Sequence, residues 1–253
     1  MDKESTVLKL YKEGLKIKDI CRIVSCYKDY PTIVAKKHGV SRGSGRNNTQ
    51  VLDLTNKDHL YILGLIITDG SVFVGNRNST VIVATKEESL ADYVCKEIGF
   101  KKYKRKQNNI FTAQLGSKFI VDQLISMGIT PNKSKTLELK IDLNWHILRG
   151  IFDGDGSIHN KRYCIKITSA SKVFLEQVYN FLLDNGIESK IRRRNGFDYY
   201  DLWIENKKNY TLFFERVYND PSKYYLEYKY QRFVALLGDE YEKLGKYGEG
   251  CDS

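Results

Sequence analysis

The sequence predicts an α+β protein with antiparallel sheets, and three observations support this class. A short, mostly apolar stretch that ends in Asp-Gly-Ser occurs twice, at residues 62–71 and 148–157. The aspartates of the two copies, Asp69 and Asp155, are 86 positions apart (155 − 69), and the same order of elements follows each copy. Strand-like segments alternate apolar with polar residues, which is typical of antiparallel sheets with one solvated face. The first forty residues, in contrast, show only helical spacing.

Residues 1–40 are predicted to form a small helical domain. Apolar positions near Val7 and Tyr11, a second apolar face over 17–24, and a segment over 29–38 with Pro31 in its first turn indicate three helices. This order resembles a helix-turn-helix, in which the third helix enters the major groove. The candidate DNA contacts are then Lys28, Thr32, Lys36 and Lys37. A basic helical cap without groove contacts remains an alternative.

Residues 41–57 are predicted to form a linker, because their Ser, Gly and Asn content is typical of flexible segments. Arg42 and Arg46 in this linker are further candidate DNA contacts. Residues 1–50 carry 11 Lys and Arg against 5 Asp and Glu, so more than half of the net charge of +10 lies there.

The repeats are assigned to residues 58–143 and 144–237, followed by a polar tail over 238–253. In the first repeat, a helix precedes a hairpin, a helix over 87–98, a basic strand over 101–106, a strand over 111–115 and a helix over 118–127. The second repeat has a hairpin over 157–168, a helix over 171–185, a hairpin turning at Asn195-Gly196, a helix over 206–218 and a last helix that Pro221 opens.

The duplicated stretch itself indicates a divalent-cation site. Gly64 with Thr68, and Gly150 with Gly154, are four residues apart, so each pair presents a small face to a neighbouring helix. The glycine after each aspartate suits a left-handed helix C-cap. If the two faces pack together, two carboxylates and two helix C-termini meet, and oxygen ligands of this kind suit Mg²⁺ or Ca²⁺. The alternative is that Asp-Gly is simply a common turn.

Both stretches resemble the nine-residue LAGLIDADG motif of homing endonucleases and related maturases. The second copy departs from the motif at Arg149; the first is looser, and its residue at the earlier aspartate position is Ile67 where the second copy keeps Asp153. In that family the final motif aspartate is the metal ligand, which here implies Asp69 and Asp155.

The resemblance implies tandem α-β-β-α-β-β-α repeats that form a pseudo-two-fold β-saddle. It implies a site-specific double-strand DNA endonuclease that uses Mg²⁺ for phosphodiester hydrolysis and leaves short 3′ overhangs at a long asymmetric target. Mn²⁺ is expected to substitute, and Ca²⁺ to bind without supporting cleavage. The resemblance also implies metal contacts from the carbonyls of Thr68 and Gly154, and it nominates Lys133 and Lys229 beside the attacking water.

Alternation along the strands predicts which residues read DNA. Lys190, Arg192 and Arg194 share one strand face, and Lys102, Lys104 and Lys106 share another. Such side chains can contact base edges and phosphates in the major groove, although a solvated edge strand also carries lysine. The full set of candidate contacts in the repeats is Arg77, Lys102, Lys104, Arg105, Lys106, Gln114, Lys161, Lys166, Lys190, Arg192 and Arg194.

The composition limits the classes of partner that the chain is expected to bind. The charge of +10 and pI near 9.2 favour a polyanion, and no apolar run approaches the length of a membrane span. Five cysteines without a Cys-x-x-Cys pair are typical of reduced thiols, and no Ser-His-Asp or Cys-His set is visible. We therefore expect a cytoplasmic monomer that binds double-stranded DNA. The alternatives are a non-cleaving DNA-binding regulator and an intron maturase; the chain ends do not suggest an intact intein.

Overall fold

The computed structural model describes residues 2–13, 15–40, 51–75, 79–105, 109–159, 161–219 and 224–238. The chain divides into two compact units, residues 1–49 and 50–253. Within the described ranges, helices combine with two four-stranded antiparallel sheets, which confirms the α+β class. None of the helices in these ranges is long and apolar enough to cross a membrane.

The first unit contains three short helices. They are α1 (Lys3–Lys12), α2 (Ile17–Val24) and α3 (Tyr30–Lys37). Helix α2 ends at Ser25, whose φ of 49° is left-handed and stops the helix. A small core holds the unit together, formed by Val7, Tyr11, Ile20, Val34 and Ala35.

The first repeat begins with the helix of the first motif copy. Its elements are α4 (Lys57–Thr68), β1 (Gly70–Val74), β2 (Ser79–Thr85), α5 (Glu88–Ile98), β3 (Lys101–Arg105), β4 (Ile110–Gly116), α6 (Lys118–Ser126) and a 3₁₀ turn (Lys133–Lys135). The strands form an antiparallel sheet in the order β1-β2-β4-β3. Helices cover one face, so Val81, Val83 and Ala113 are buried there.

The second repeat follows the same plan. Its elements are α7 (Trp145–Asp155), β5 (Gly156–Ile158), β6 (Cys164–Ser169), α8 (Lys172–Asp184), β7 (Lys190–Arg193), β8 (Tyr200–Glu205), α9 (Lys207–Tyr218) and α10 (Glu227–Leu237). The sheet order is β5-β6-β8-β7. Pro221, which is predicted to open the last helix, lies outside the described residues, and the structure gives α10 from Glu227 with Leu226 as its N-cap.

The two motif helices start in the same way and pack against each other. Asn56 caps α4 and Asn144 caps α7, each with a side-chain oxygen that accepts two main-chain N–H groups. A Cβ on Gly64 would lie 2.7 Å from Cα of Gly150, and one on Gly150 would lie 2.8 Å from Cα of Gly64. The two helix backbones are therefore in direct contact at the two glycines, as the four-residue spacing predicts.

The glycines after the motif aspartates play a different role from the predicted one. Gly156 has φ −84° and ψ 149°, and Gly70 is not among the positive-φ residues, so neither is a left-handed cap. A Cβ on Gly70 would lie 2.6 Å from Cα of Ile66, and one on Gly156 would collide with Phe152. Glycine is required here because the chain turns from helix into strand against the last helical turn.

Candidate active site and nucleic-acid surface

The two motif aspartates lie at the C-terminal ends of the packed helices. Asp69 is the C-cap of α4, and Asp155 is the last residue of α7. Asp69 Oδ2 lies 3.3 Å from the position that a Cβ on Gly154 would occupy, so the carboxylate of one repeat borders the backbone of the other. Both aspartates are open to solvent. The convergence expected from the duplicated stretch is therefore present.

The surroundings of these carboxyl groups disfavour two negative charges. Partial burial raises the pKa of Asp155 to about 6, with the nearby charge of Asp69 adding to the effect. Burial also raises the pKa of Asp69, while Lys229 and Lys133 counteract it. Without a cation, one of the two carboxyl groups retains its proton up to mildly acidic pH.

Lys133 and Lys229 occupy matching places beside this pair. Lys133, in the 3₁₀ turn, is 7% exposed and donates from Nζ to the carbonyl of Gly70. Lys229, in α10, is 4% exposed and donates to the carbonyl of Gly156 at 2.8 Å. Each lysine thus binds the carbonyl of the residue that follows a motif aspartate, where a cation also offsets the negative end of the helix dipole.

Lys229 is held by two further carbonyls. Its Nζ donates to Phe152 at 2.6 Å and to Asp153 at 2.7 Å. Burial lowers the pKa of Lys229 to about 8, although the neighbouring aspartates oppose this change. Three carbonyl acceptors match the three N–H groups of an ammonium, so at neutral pH the group acts as a fixed positive charge. Burial likewise lowers the pKa of Lys133.

The remaining predicted metal contacts, Thr68 and Gly154, lie between the two aspartates in the interface. The Thr68 hydroxyl donates to the carbonyls of Gly64 and Leu65 at 3.2 Å each. A Cβ on Gly154 would lie 2.6 Å from Cβ of Thr68, so only glycine fits opposite this threonine. That their carbonyls contact a metal stays a prediction.

The donor set at this point fits a hard divalent cation. It consists of two carboxylates whose mutual repulsion a cation would relieve, on residues open to solvent. Within the described part of the chain, no group of three or more His, Cys, Asp or Glu side chains could hold a metal ion. A cation bound by Asp69 and Asp155 must therefore complete its coordination with main-chain carbonyls, water or phosphate oxygens.

The uncovered face of the second sheet is charged. Trp203 lies at its centre, with Lys166 Nζ 5.5 Å and the Arg192 guanidinium 5.7 Å from the ring centroid. Arg192 donates to both carboxylate oxygens of Glu205, at 3.1 and 3.5 Å, and Lys166 pairs with Asp201 at 3.9 Å. Register places Lys190, Lys166 and Trp203 on one face, as the alternation predicts. The acidic partners hold Lys166 and Arg192 on this open face.

Among the described side chains, the uncovered face of the first sheet carries Lys101 and is otherwise neutral and partly aromatic. Register places Gln114 opposite Ile82 on β2 and Lys101 on β3, and Tyr103 opposite Thr112. Phe73 and Tyr103 are 61% and 50% exposed. These residues could contact base edges and thymine methyl groups rather than many phosphates.

Lys102 and Gln114, both predicted to contact DNA, lie on opposite faces of the first sheet. Lys102 registers with buried Ala113 and therefore lies on the helix-covered face. Its Nζ pairs with Glu88 at 3.0 Å and with Asp92 at 2.5 Å, both on α5. The reason is the register between β3 and β4, which strand alternation alone does not give. Lys104 and Arg105 belong to β3, and their side chains are not described.

The other predicted contacts are scattered or lie outside the described residues. Lys28, Thr32 and Lys36 are exposed in the first unit, whereas Lys37 pairs with Glu4 on α1 at 3.1 Å. Lys161 and Arg194 are exposed in the two hairpin loops of the second sheet. The positions outside the described residues are Arg42, Arg46, Arg77 and Lys106.

Sequence reasoning missed several residues of these surfaces. Trp203, Asp201 and Glu205 share the uncovered face of the second sheet, and Tyr103 lies on that of the first. Counting alternate residues from Leu202 and Ile204 would have found the three on β8, since buried residues there define the opposite face. No comparable pattern in the sequence identifies Tyr103, because it lies between lysines.

Comparisons with known proteins agree with this geometry. Residues 143–218 match the model of a LAGLIDADG-like domain. The structure described as the homing endonuclease I-WcaI bound to its DNA recognition sequence is similar over 72% of this chain and 87% of that one, with 16% identity and a TM-score of 0.54. The resemblance is thus confirmed: the chain contains a LAGLIDADG-like domain and has the LAGLIDADG fold.

Two curated relatives match shorter parts of the chain. The DNA-directed RNA polymerase subunit Rpo1C of Methanocaldococcus jannaschii is 28% identical over 152 residues, 55% of this chain and 17% of that protein. The probable translation initiation factor IF-2 of Thermococcus kodakarensis is 47% identical over 66 residues, 26% of this chain and 6% of that protein. The chain therefore spans less than a fifth of the length of either relative.

Proposed function

From the LAGLIDADG-like domain and the fold around it, we propose that this chain is a site-specific, divalent-metal-dependent endonuclease that cuts both strands of a DNA duplex. One observation carries the proposal. Each repeat contributes one aspartate to the junction of the packed motif helices, where burial and mutual repulsion raise the pKa of Asp155 to about 6. Perturbed carboxyl groups at such a junction are typical of a functional site.

Hydrolysis of a phosphodiester requires an activated water, neutralisation of charge on the phosphate, and help for the leaving oxygen. A divalent cation supplies this chemistry when bound. Asp69 and Asp155 would hold it, with Mg²⁺ as the expected ion and Thr68 and Gly154 as carbonyl donors. Lys133 and Lys229 keep positive charge beside the aspartates and fix the chain that follows each of them.

Two uncovered sheet faces of different character suit an asymmetric duplex. The second sheet offers Lys166, Lys190 and Arg192, and the first offers mainly neutral groups around Gln114. A symmetric protein reads a symmetric site, so two unlike repeats favour two unlike half-sites. The helical first unit would add contacts through α3, and a single chain with both motif copies would act as a monomer.

The test is to sequence the DNA ends that the full chain generates from a randomised or genomic library in Mg²⁺. We expect one long asymmetric site with short 3′ overhangs. Asp69→Asn and Asp155→Asn should bind the same site and generate no ends. Tight, sequence-specific binding without ends in Mg²⁺ or Mn²⁺ would refute the nuclease and identify a regulator, and preferential binding of RNA would identify a maturase.

A further inference from the structure

The inference concerns Asp153, which is buried between the two repeats and is not part of the carboxylate pair. Asp153 is 3% exposed and lies on α7, two residues before Asp155. Its Oδ2 accepts a hydrogen bond from the Tyr61 hydroxyl of the first repeat at 2.8 Å. The same oxygen accepts one from the main-chain N–H of Leu226 at 3.2 Å.

Leu226 is the N-cap of α10, and this defines what Asp153 does there. In a capping box, the side chain at the third helical position reaches back to the N–H of the N-cap residue. The third helical position of α10 is Lys229, which cannot accept a hydrogen bond. Asp153 takes over this role from a different helix, and its negative charge also suits the positive end of the α10 dipole.

The first turn of α10 is consequently held to α7 at two points. The Asp153 side chain binds the N–H of Leu226, and the carbonyls of Phe152, Asp153 and Gly156 bind Nζ of Lys229. A shift of α10 along α7 would break the hydrogen bond to Leu226 and withdraw Lys229 from the carbonyls. The position of this lysine beside Asp155 therefore depends on the start of α10.

The first repeat supplies an internal comparison. There the position of Asp153 is taken by Ile67, which is 2% exposed. The lysine of that repeat, Lys133, lies on a three-residue 3₁₀ turn after Asn132, whose φ is 56°. The Ile67 side chain has no hydrogen-bonding group and belongs to the hydrophobic core, so it cannot make a contact like that of Asp153 with Leu226.

We propose that Asp153 is a positioning residue that fixes the start of α10 and thereby places Lys229 beside the aspartate pair. This inference rests on the proposed function for its catalytic consequence. Its structural consequence, the placement of Lys229, can be measured on any DNA-free sample. A negative result for cleavage therefore does not decide the placement of Lys229, and the reverse also holds.

The decisive variant gives the second repeat the residues that the first repeat has at two matching positions. Arg149 and Asp153 correspond to Leu63 and Ile67, so Arg149→Leu with Asp153→Ile removes two buried charged groups together. Removing two buried groups of opposite charge together is often tolerated, whereas leaving one of them behind is not. Asp153→Asn is the conservative partner, because its amide oxygen can still accept from Tyr61 and Leu226.

The readout is acylation of lysines by an amine-reactive reagent, followed by mass mapping of peptides, with the full chain free of DNA. In the double variant we expect Lys229 to react about tenfold faster than in the parent, the scale of one hydrogen bond to a charged group. Lys133 should react at the parent rate. Asp153→Asn removes the charge beside Lys229 but keeps both hydrogen bonds, so Lys229 should react faster in it than in the parent and clearly slower than in the double variant. Equal rates at Lys229 in Asp153→Asn and the double variant, or a parallel rise at Lys133 that reports general loosening, would overturn the inference.

Cleavage adds a second, separable readout. The double variant should lose about tenfold in kcat with little change in KM, and this loss should vanish in a Lys229→Met background, because the two changes act through one group. Additive losses would overturn the catalytic consequence. A parent protein that cuts no DNA would refute the proposed function and leave the acylation result to decide the placement.

Discussion

The two repeats are most alike at their motif helices and least alike on their uncovered sheet faces. Both motif helices begin at an asparagine cap, both end at an aspartate, and a buried lysine binds the following carbonyl in each. The described side chains of the two sheet faces differ: the second sheet carries Lys166, Lys190 and Arg192 with two acidic partners, and the first carries Lys101 among neutral residues.

The helix junction and the sheet faces therefore differ in how freely their residues can be replaced. The packed helices tolerate little change, because a side chain at Gly64 or Gly150 would overlap the other backbone. The sheet faces are open to solvent, where substitutions usually cost little stability. A duplicated scaffold can therefore keep a shared pair of carboxylates while the exposed sheet face of each half diverges.

The largest expected effect comes from removing one carboxylate of the pair. Asp69→Asn should lower the cleavage rate by at least about 10³-fold, since the cation contributes several kcal/mol to the transition state. Without divalent cations, the variant should also melt about 2–4 °C higher, the shift that ~1 kcal/mol produces in a protein of this size. Cleavage assays and thermal unfolding measure both effects.

Asp184→Asn is the matched control for this prediction. Asp184 is the last residue of α8, so it also faces a helix C-terminus, but it is exposed and belongs to neither motif helix. Its replacement should leave cleavage unchanged. Full Mg²⁺-dependent cleavage by Asp69→Asn would show that the two repeats do not contribute equally to the site.

The next largest effect tests how closely the helices must approach. Gly64→Ala places a methyl group closer than 3.0 Å to the backbone of α7, and Gly150→Ala does the same to α4. Each should lower the free energy of unfolding by about 3 kcal/mol, at the upper end of overpacking costs. Urea unfolding monitored by circular dichroism measures this change.

Gly116→Ala serves as the comparison, because its nearest contact would be Ser79 at 4.0 Å. It should change the free energy of unfolding by less than about 1 kcal/mol. If Gly64→Ala were equally mild, the helices would be further apart than the structure shows.

The sheet faces should differ in the salt dependence of DNA binding. Replacing Lys190 and Arg192 by alanine should lower the slope of log K against log salt by about one for each phosphate that these cations no longer neutralise. Replacing Tyr103 and Gln114 on the first sheet should weaken binding with little change in slope. Binding titrations at several salt concentrations distinguish the two sets of variants. Equal slopes would contradict the prediction that the second sheet contacts more phosphates than the first.

The smallest effect concerns pH. The pKa of Asp155 is raised to about 6, so between its ordinary value and 6 the folded chain holds a proton that the unfolded chain has lost. Stability of the metal-free protein should therefore fall as pH rises through this range. Ca²⁺ affinity should increase about tenfold per pH unit below 6 and level off above it. Calorimetric titration measures the affinity.

Asp69→Asn provides the internal check for the pH prediction. With one charge of the pair removed, Asp155 should titrate at lower pH, and the stability change should move with it. An unchanged midpoint in this variant would mean that burial alone, and not the second repeat, sets the behaviour of Asp155.

Much of the fold could be predicted because the relevant patterns are local. The sequence predicts helix α5 over 87–98 and it spans Glu88–Ile98, and β4 contains the predicted strand over 111–115. The start of α10 could not be predicted, because a hydrogen bond from Leu226 to a distant aspartate fixes it. The sheet face on which Lys102 lies could not be predicted either, because it depends on the register between β3 and β4.

By itself the sequence determined the duplication, the pair of aspartates at helix ends and the small residues that let the helices touch. These follow from spacing along one chain, since residues four apart share a helix face. Only the tertiary structure decided which face of β3 is uncovered, that Lys133 and Lys229 bind equivalent carbonyls, and that Asp153 caps α10. Each of these is a contact between segments far apart in the chain, and no local pattern encodes their relative position.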